Sequence, residues 1–257
     1  MRDRAHDRAM ARSPLEWSDR GVAETSWVRR VAAEVVGTFA LVFVAAGGDT
    51  MARVSGGEIG VAARAVAPGL LVGAFILAIG DASGAHFNPV VSLGFALKRL
   101  FPVPWLPIYW ACQLVGALGA SALLRILFGD ALAAGVSTAH VSGWSAVVTE
   151  AVLTWLLVTV VLGTADRSNL VGPNAAIAVG STIALCGLIA QPIEGASMNP
   201  ARSLAPALVT GRLEDAWIYV LGPLAGTLVA VALTLLLHGA RSDDRLARAA
   251  AQGNPVR

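Results

Sequence analysis

Two short elements carry the most specific chemistry in this chain. They are Gly84-Ala85-His86-Phe87-Asn88-Pro89-Val90 and Gly195-Ala196-Ser197-Met198-Asn199-Pro200-Ala201. Each places a side-chain amide directly before a proline. Proline suits the first turn of a helix, where its missing N–H is not needed and its φ is already helical. Pro89 and Pro200 therefore read as the starts of two short helices, with Asn88 and Asn199 at their tips. A helix N-terminus carries roughly half a unit of positive charge. An amide placed there offers N–H donors to a small polar molecule, while the charge opposes a cation. Glu34 and Glu150 are the next residues of interest, because each sits inside an apolar stretch. Ionisable groups in such places are costly and face the interior of a helix bundle. They read as acceptors for the backbone N–H groups of nearby loops, with ion or proton coupling as the alternative.

Other chemistries find no footing. The sequence has no Cys/His cluster with metal spacing, no Gly-rich phosphate loop and no nucleophile–base pair. It points to no enzyme, no metal, no cofactor and no nucleic-acid partner. Cys112 and Cys186 lie in apolar runs and read as small buried hydrophobes. His86 stands two residues before Asn88; it reads as a ring that steadies the loop by hydrogen bonding, with a pH gate as the alternative.

The elements that hold these residues belong in a membrane. Hydrophobic residues make up 56% of the chain and charged residues 14%. Soluble domains run at about 45–50% and about 25%. A spanning helix needs about 20 apolar residues. Six segments qualify, at about Val28–Gly48, Val66–Ile79, Trp105–Phe128, Trp144–Gly163, Asn174–Ala190 and Trp217–His238. Two more, Pro89–Leu97 and Pro200–Val209, are too short to span and read as half-helices dipping into the bilayer. Trp105, Trp144 and Trp217 near span starts read as interfacial anchors. Residues 1–27 and 239–257 read as solvated tails, the last of them disordered from about Arg241. Placing both tails in the cytoplasm gathers Arg29, Arg30, Lys98, Arg99 and Arg167 with the tail arginines. With Arg202 set aside inside the second half-helix, only Arg53, Arg64, Arg125 and Arg212 remain outside. That bias predicts a multi-pass protein of the cell membrane with both termini cytoplasmic.

The chain also repeats itself. Asn88 and Asn199 are 111 residues apart; Tyr109 and Gly116 match Tyr219 and Gly226 at an offset of 110; Glu34 matches Glu150 at 116. Each repeat, about 28–128 and 144–238, holds three spans and one half-helix within a channel domain of 28–238. An odd number of crossings inverts the second repeat. Inverted repeats with broken helices place the functional site near the midplane between the halves. The fold class is thus an all-α membrane protein of six spans and two re-entrant half-helices whose N-termini meet at the centre. Opposed dipoles there set a barrier to cations and protons.

These motifs, set in six spans, resemble the major intrinsic protein family of aquaporins and aquaglyceroporins. The resemblance covers residues 28 to 238 and implies a homotetramer with one passive pore per protomer. It also implies a selectivity filter outward of the Asn pair, mapping onto Arg202, Ala196, Gly187 and Pro68. Water-only members have an aromatic and a histidine where this chain has Pro68 and Gly187, so the implied opening is wider. Ser203 follows the filter arginine where glycerol-selective members have Asp. Val90 replaces the usual alanine. The whole is most similar to the plant nodulin-type branch and its bacterial relatives, which implies water, glycerol-like polyols or neutral metalloid acids as solutes. A strictly water-selective pore is the alternative. A coupled secondary transporter is a further reading, with only Glu34, Glu150 and Arg202 as intramembrane charges to serve it. A closed adhesive or scaffolding protein also stays open.

Overall fold

A computed structural model describes residues 26–165, 173–239 and 245–253. Most of both tails, with Arg167, lies outside them. Among the described residues the chain is helical, as a bilayer demands: without water, backbone groups must pair within their own segment. The long helices are α1 (Trp27–Val54), α2 (Val61–Ser83), α4 (Leu106–Phe128), α5 (Gly143–Ala165), α6 (Pro173–Glu194) and α8 (Ile218–His238). All six are long and apolar enough to cross a membrane. The half-helices are α3 (Pro89–Leu97) and α7 (Pro200–Thr210), and a short α9 (Arg245–Gln252) follows the last span. The expected six spans and two short helices are all present. The second and fifth spans run longer than the apolar windows at 66–79 and 174–190, because helix continues through residues too polar or Gly-rich to register as hydrophobic.

The repeat explains how the helices pack. Helix α4 lies on α1, α8 lies on α5, and α2 meets α6 across the two halves. Glycines make each crossing close. A Cβ built on Gly116 would stand 2.2 Å from the carbonyl oxygen of Val35, and one on Gly226 would stand 2.2 Å from that of Ala151. Small residues at helix crossings let backbones approach in just this way. The other matched pair ties each third span to its loop: the Tyr109 hydroxyl donates to the Ser83 carbonyl at 2.7 Å, and that of Tyr219 to the carbonyl of Glu194.

Three sequence expectations need correction. The stretch from Arg245 is helical rather than disordered; its run of alanines has the strongest helix propensity, and it docks on α2 and α5. Trp105 is no interfacial anchor. It is buried, edge-on to Tyr109, with the Arg30 guanidinium 5.7 Å over its ring. Trp144 and Trp217 are exposed and pack against each other. Finally, Glu34, Glu150 and Arg202 are not the only charges within the spans. Asp49 on α1, Arg64 on α2 and Glu194 on α6 join them.

Candidate solute pathway

Each half-helix is preceded by a loop of unusual backbone. Gly84, Ala85 and Phe87 have positive φ in the first, and Gly195, Ala196 and Met198 have it in the second. Left-handed non-glycine residues cost roughly 1–3 kcal/mol each and persist only where the surroundings hold them. Here the two intramembrane glutamates sit against the loops. Glu34 accepts from the backbone N–H of His86 and Phe87, both at 2.9 Å. Glu150 accepts from Ser197 and Met198 at 2.5 and 2.8 Å. Both carboxylates are fully buried. The first is held further by Ser83 and Gln113, at 2.8 Å each.

The two asparagines then face the middle of the bundle. Each side-chain oxygen caps its own half-helix: Asn88 Oδ1 accepts from the Val90 N–H, and Asn199 Oδ1 from those of Ala201 and Arg202. Each amide nitrogen reaches across to the opposite loop. Asn88 Nδ2 donates to the Met198 carbonyl at 2.8 Å, and Asn199 Nδ2 to the Phe87 carbonyl at 2.9 Å. A primary amide has two N–H donors, and among the described residues one on each asparagine is committed in these crossed bonds. Pro89 and Pro200 open α3 and α7. Val90 is buried beside this centre.

A cavity of about 740 Å³ runs past both asparagines. All four expected filter positions, Pro68, Gly187, Ala196 and Arg202, line it. Arg202 is buried, bonded to the Ser137 hydroxyl, with Nη2 3.7 Å from Asp49 Oδ2. It therefore has an ion-pair partner as well as a place in the cavity wall. Gly187 also serves the packing of the helices. A Cβ there would stand 2.7 Å from the Ala65 carbonyl oxygen, so the glycine lets α6 close on α2. Pro68 lies inside α2, where it removes the helical hydrogen bond to the carbonyl of Arg64. Ser203 sits in a hydroxyl cluster with Ser137 and Ser197.

The ends of the cavity differ. One end meets α9: Ala249, Ala250 and Gly253 line it. His86 Nε2 is 2.9 Å from the Ala251 carbonyl and Nδ1 is 2.9 Å from Ser92 Oγ. Gln252 donates to the Leu100 carbonyl at 3.1 Å. His86 thus ties the first loop to the tail helix as well as to α3. The other end is lined by Arg64, which the sequence suggested only as an outside charge, and by Gln191, which it did not single out. Their spacing was a usable signal. Arg64 lies four residues before Pro68 and Gln191 four after Gly187, one helical turn away on the same face. No group of residues able to hold a metal ion occurs among those described.

The chain matches the major intrinsic protein family over residues 22–234. It is 41% identical over 207 residues to "Aquaporin NIP1-1" of Oryza sativa subsp. japonica, covering 78% of this chain and 71% of that one. It is 42% identical over 199 residues to "Probable aquaporin NIP4-2" of Arabidopsis thaliana, covering 77% and 70%. Among solved structures it resembles the aquaglyceroporin from Plasmodium falciparum, with a TM-score of 0.72, 25% identity and coverage of 81% and 96%.

Proposed function

This chain belongs to the major intrinsic protein family, and we propose that it conducts compact polyhydroxylated solutes as well as water while excluding protons and ions. That it is a multi-pass membrane channel for water and small neutral solutes follows from its relatives. The finer reading concerns the route and its filter. In it, Asn88 and Asn199 form the pore centre, Pro89 and Pro200 start the half-helices, and Glu34, Glu150 and His86 support the loops. Arg202, Ala196, Gly187 and Pro68 form the filter.

The observation that carries the reading is the pair of opposed half-helices, each tipped by an asparagine with one N–H committed across the repeat. The uncommitted N–H donates to an oxygen in transit. Two positive helix ends at one depth raise the energy of a cation there. A water that accepts from both asparagines is poorly placed to relay a proton. The filter residues lack the aromatic and imidazole of a water-only opening, so glycerol-like polyols or neutral metalloid acids fit the route. The wider reading also takes the protein as a homotetramer in the cell membrane with both termini cytoplasmic.

Proteoliposomes carrying the full chain test this by osmotic shrinkage with water, glycerol, urea and boric acid, with proton flux alongside. Solute entry without proton flux is expected. Strict water selectivity, or uptake that saturates and needs an ion gradient, overturns it. Pro68→Phe is the sharper filter variant and should lower glycerol entry more than water entry. Gly187→His is less direct, because its Cβ meets the α2 backbone before the ring reaches solute.

A further inference from the structure

The filter arginine is not the only cation at its end of the cavity. Arg64 and Gln191 line the cavity one turn beyond Pro68 and Gly187. Helices α2 and α6 run in opposite directions in the inverted repeat, so four residues back on one and four forward on the other lead the same way, outward from the asparagines. Asp49 of α1 stands between them. Its Oδ1 accepts from Arg64 Nη1 at 2.5 Å and from Gln191 Nε2 at 3.0 Å. Its Oδ2 lies 3.7 Å from Arg202 Nη2. One carboxylate therefore touches two guanidinium groups, and the Arg64, Asp49 and Arg202 side chains are only 21%, 13% and 6% exposed.

Charge and hydrogen-bond capacity define what this cluster suits. Two arginines facing a narrow passage would hold an anion strongly. Asp49 cancels one of the two charges and adds an acceptor. The Gln191 side-chain oxygen is buried and has no hydrogen-bond partner among the described residues. Gln191 binds Asp49 through its amide nitrogen and so keeps the carboxylate beside the cavity-lining Arg64. We propose that Asp49, Arg64 and Gln191 form an outer recognition site, reached before the filter, that favours neutral solutes with several hydroxyl groups and sets their entry relative to water. A solute hydroxyl donates to Asp49 Oδ2 while the solute's oxygens accept from the cavity-lining Arg64, and Gln191 holds the carboxylate in place through its amide nitrogen. Asp49 also positions Arg202. This proposal rests on the pore reading above and adds its solute class.

The test uses the full chain in proteoliposomes, with water, glycerol and boric acid permeabilities measured on the same vesicles. Asp49→Asn and Gln191→Leu should each lower the glycerol-to-water and boric acid-to-water ratios by about 3- to 10-fold, the loss of one or two hydrogen bonds. Asp49→Glu should recover most of the ratio. Arg53→Gln, exposed at the end of α1, is the control and should leave it in place. Water and solutes changing in the same proportion, or neither changing, overturns the outer site. If Asp49→Asn fails to fold, Gln191→Leu decides alone, since it removes no charge. Wild-type protein that passes water but no solute defeats the pore reading itself, a result distinct from an unmoved ratio in a conducting channel.

Discussion

The first dipping loop is met by a hydroxyl and an amide, and the second by a further carboxyl group. Glu34 is met by a hydroxyl from Ser83 and an amide from Gln113. At the position matching Ser83 the second repeat has Glu194, which is buried and accepts from the Ala196 N–H. The backbones are alike all the same, with left-handed residues at the same places. The lesson is that one carboxylate accepting two successive N–H groups sets the loop shape, while the surroundings are free to diverge. That divergence separates the two ends of the cavity: one is met by a tail helix, the other lined by arginines.

The largest test of this comparison is removal of the carboxylates. Glu34→Ala and Glu150→Ala each leave two buried N–H groups unmet, at about 1–3 kcal/mol apiece. Each should cost about 3–5 kcal/mol, read as loss of thermal stability in detergent and loss of water conduction. Effects of very different size would break the equivalence of the two loops. Next come the glycine crossings. Gly116→Leu and Gly226→Leu should each cost more than the 1–3 kcal/mol typical of overpacking, because the clash is with backbone; a denaturation series reads both. Ending the chain at Gly239 removes α9 and should raise water permeability several-fold. Unchanged conduction would mean that α9 leaves its seat in a bilayer. The smallest effect belongs to the centre. Val90→Ala should lower stability by about 1–2 kcal/mol through lost packing and leave proton flux at background, because both asparagines and both helix ends remain.

Most of the architecture could be read from residue order. Six apolar stretches, two Asn-Pro elements and one offset were enough for the inverted repeat, since lipid leaves a chain few ways to satisfy its backbone. The matched tyrosines and glycines were visible as a pattern, but their purpose was not. A hydroxyl reaching a carbonyl 26 residues away in sequence has no local signature. Trp105 was misplaced for a related reason: a tryptophan at a span start looks the same in one dimension whether it faces headgroups or Tyr109. The tail helix escaped notice because its alanines and arginines resemble a solvated tail until docked. Arg64 was legible in principle, one turn from Pro68, yet was counted only toward loop charge. Asp49 was not, since nothing local pairs it with residues 15 and 142 positions away.

The crossed amides have a consequence for how the protein is made. Each asparagine is tethered by the loop of the other half, through contacts separated by 110 and 112 residues in the chain. Contacts that distant form late, after the intervening chain is ordered. A first half emerging from synthesis would carry Asn88 without its Met198 partner, its loop held by Glu34, Tyr109 and the His86–Ser92 contact of that half. The centre should therefore be the last part of the molecule to set. Two half-chains produced separately should conduct only when brought together, because each is missing the piece that latches the other.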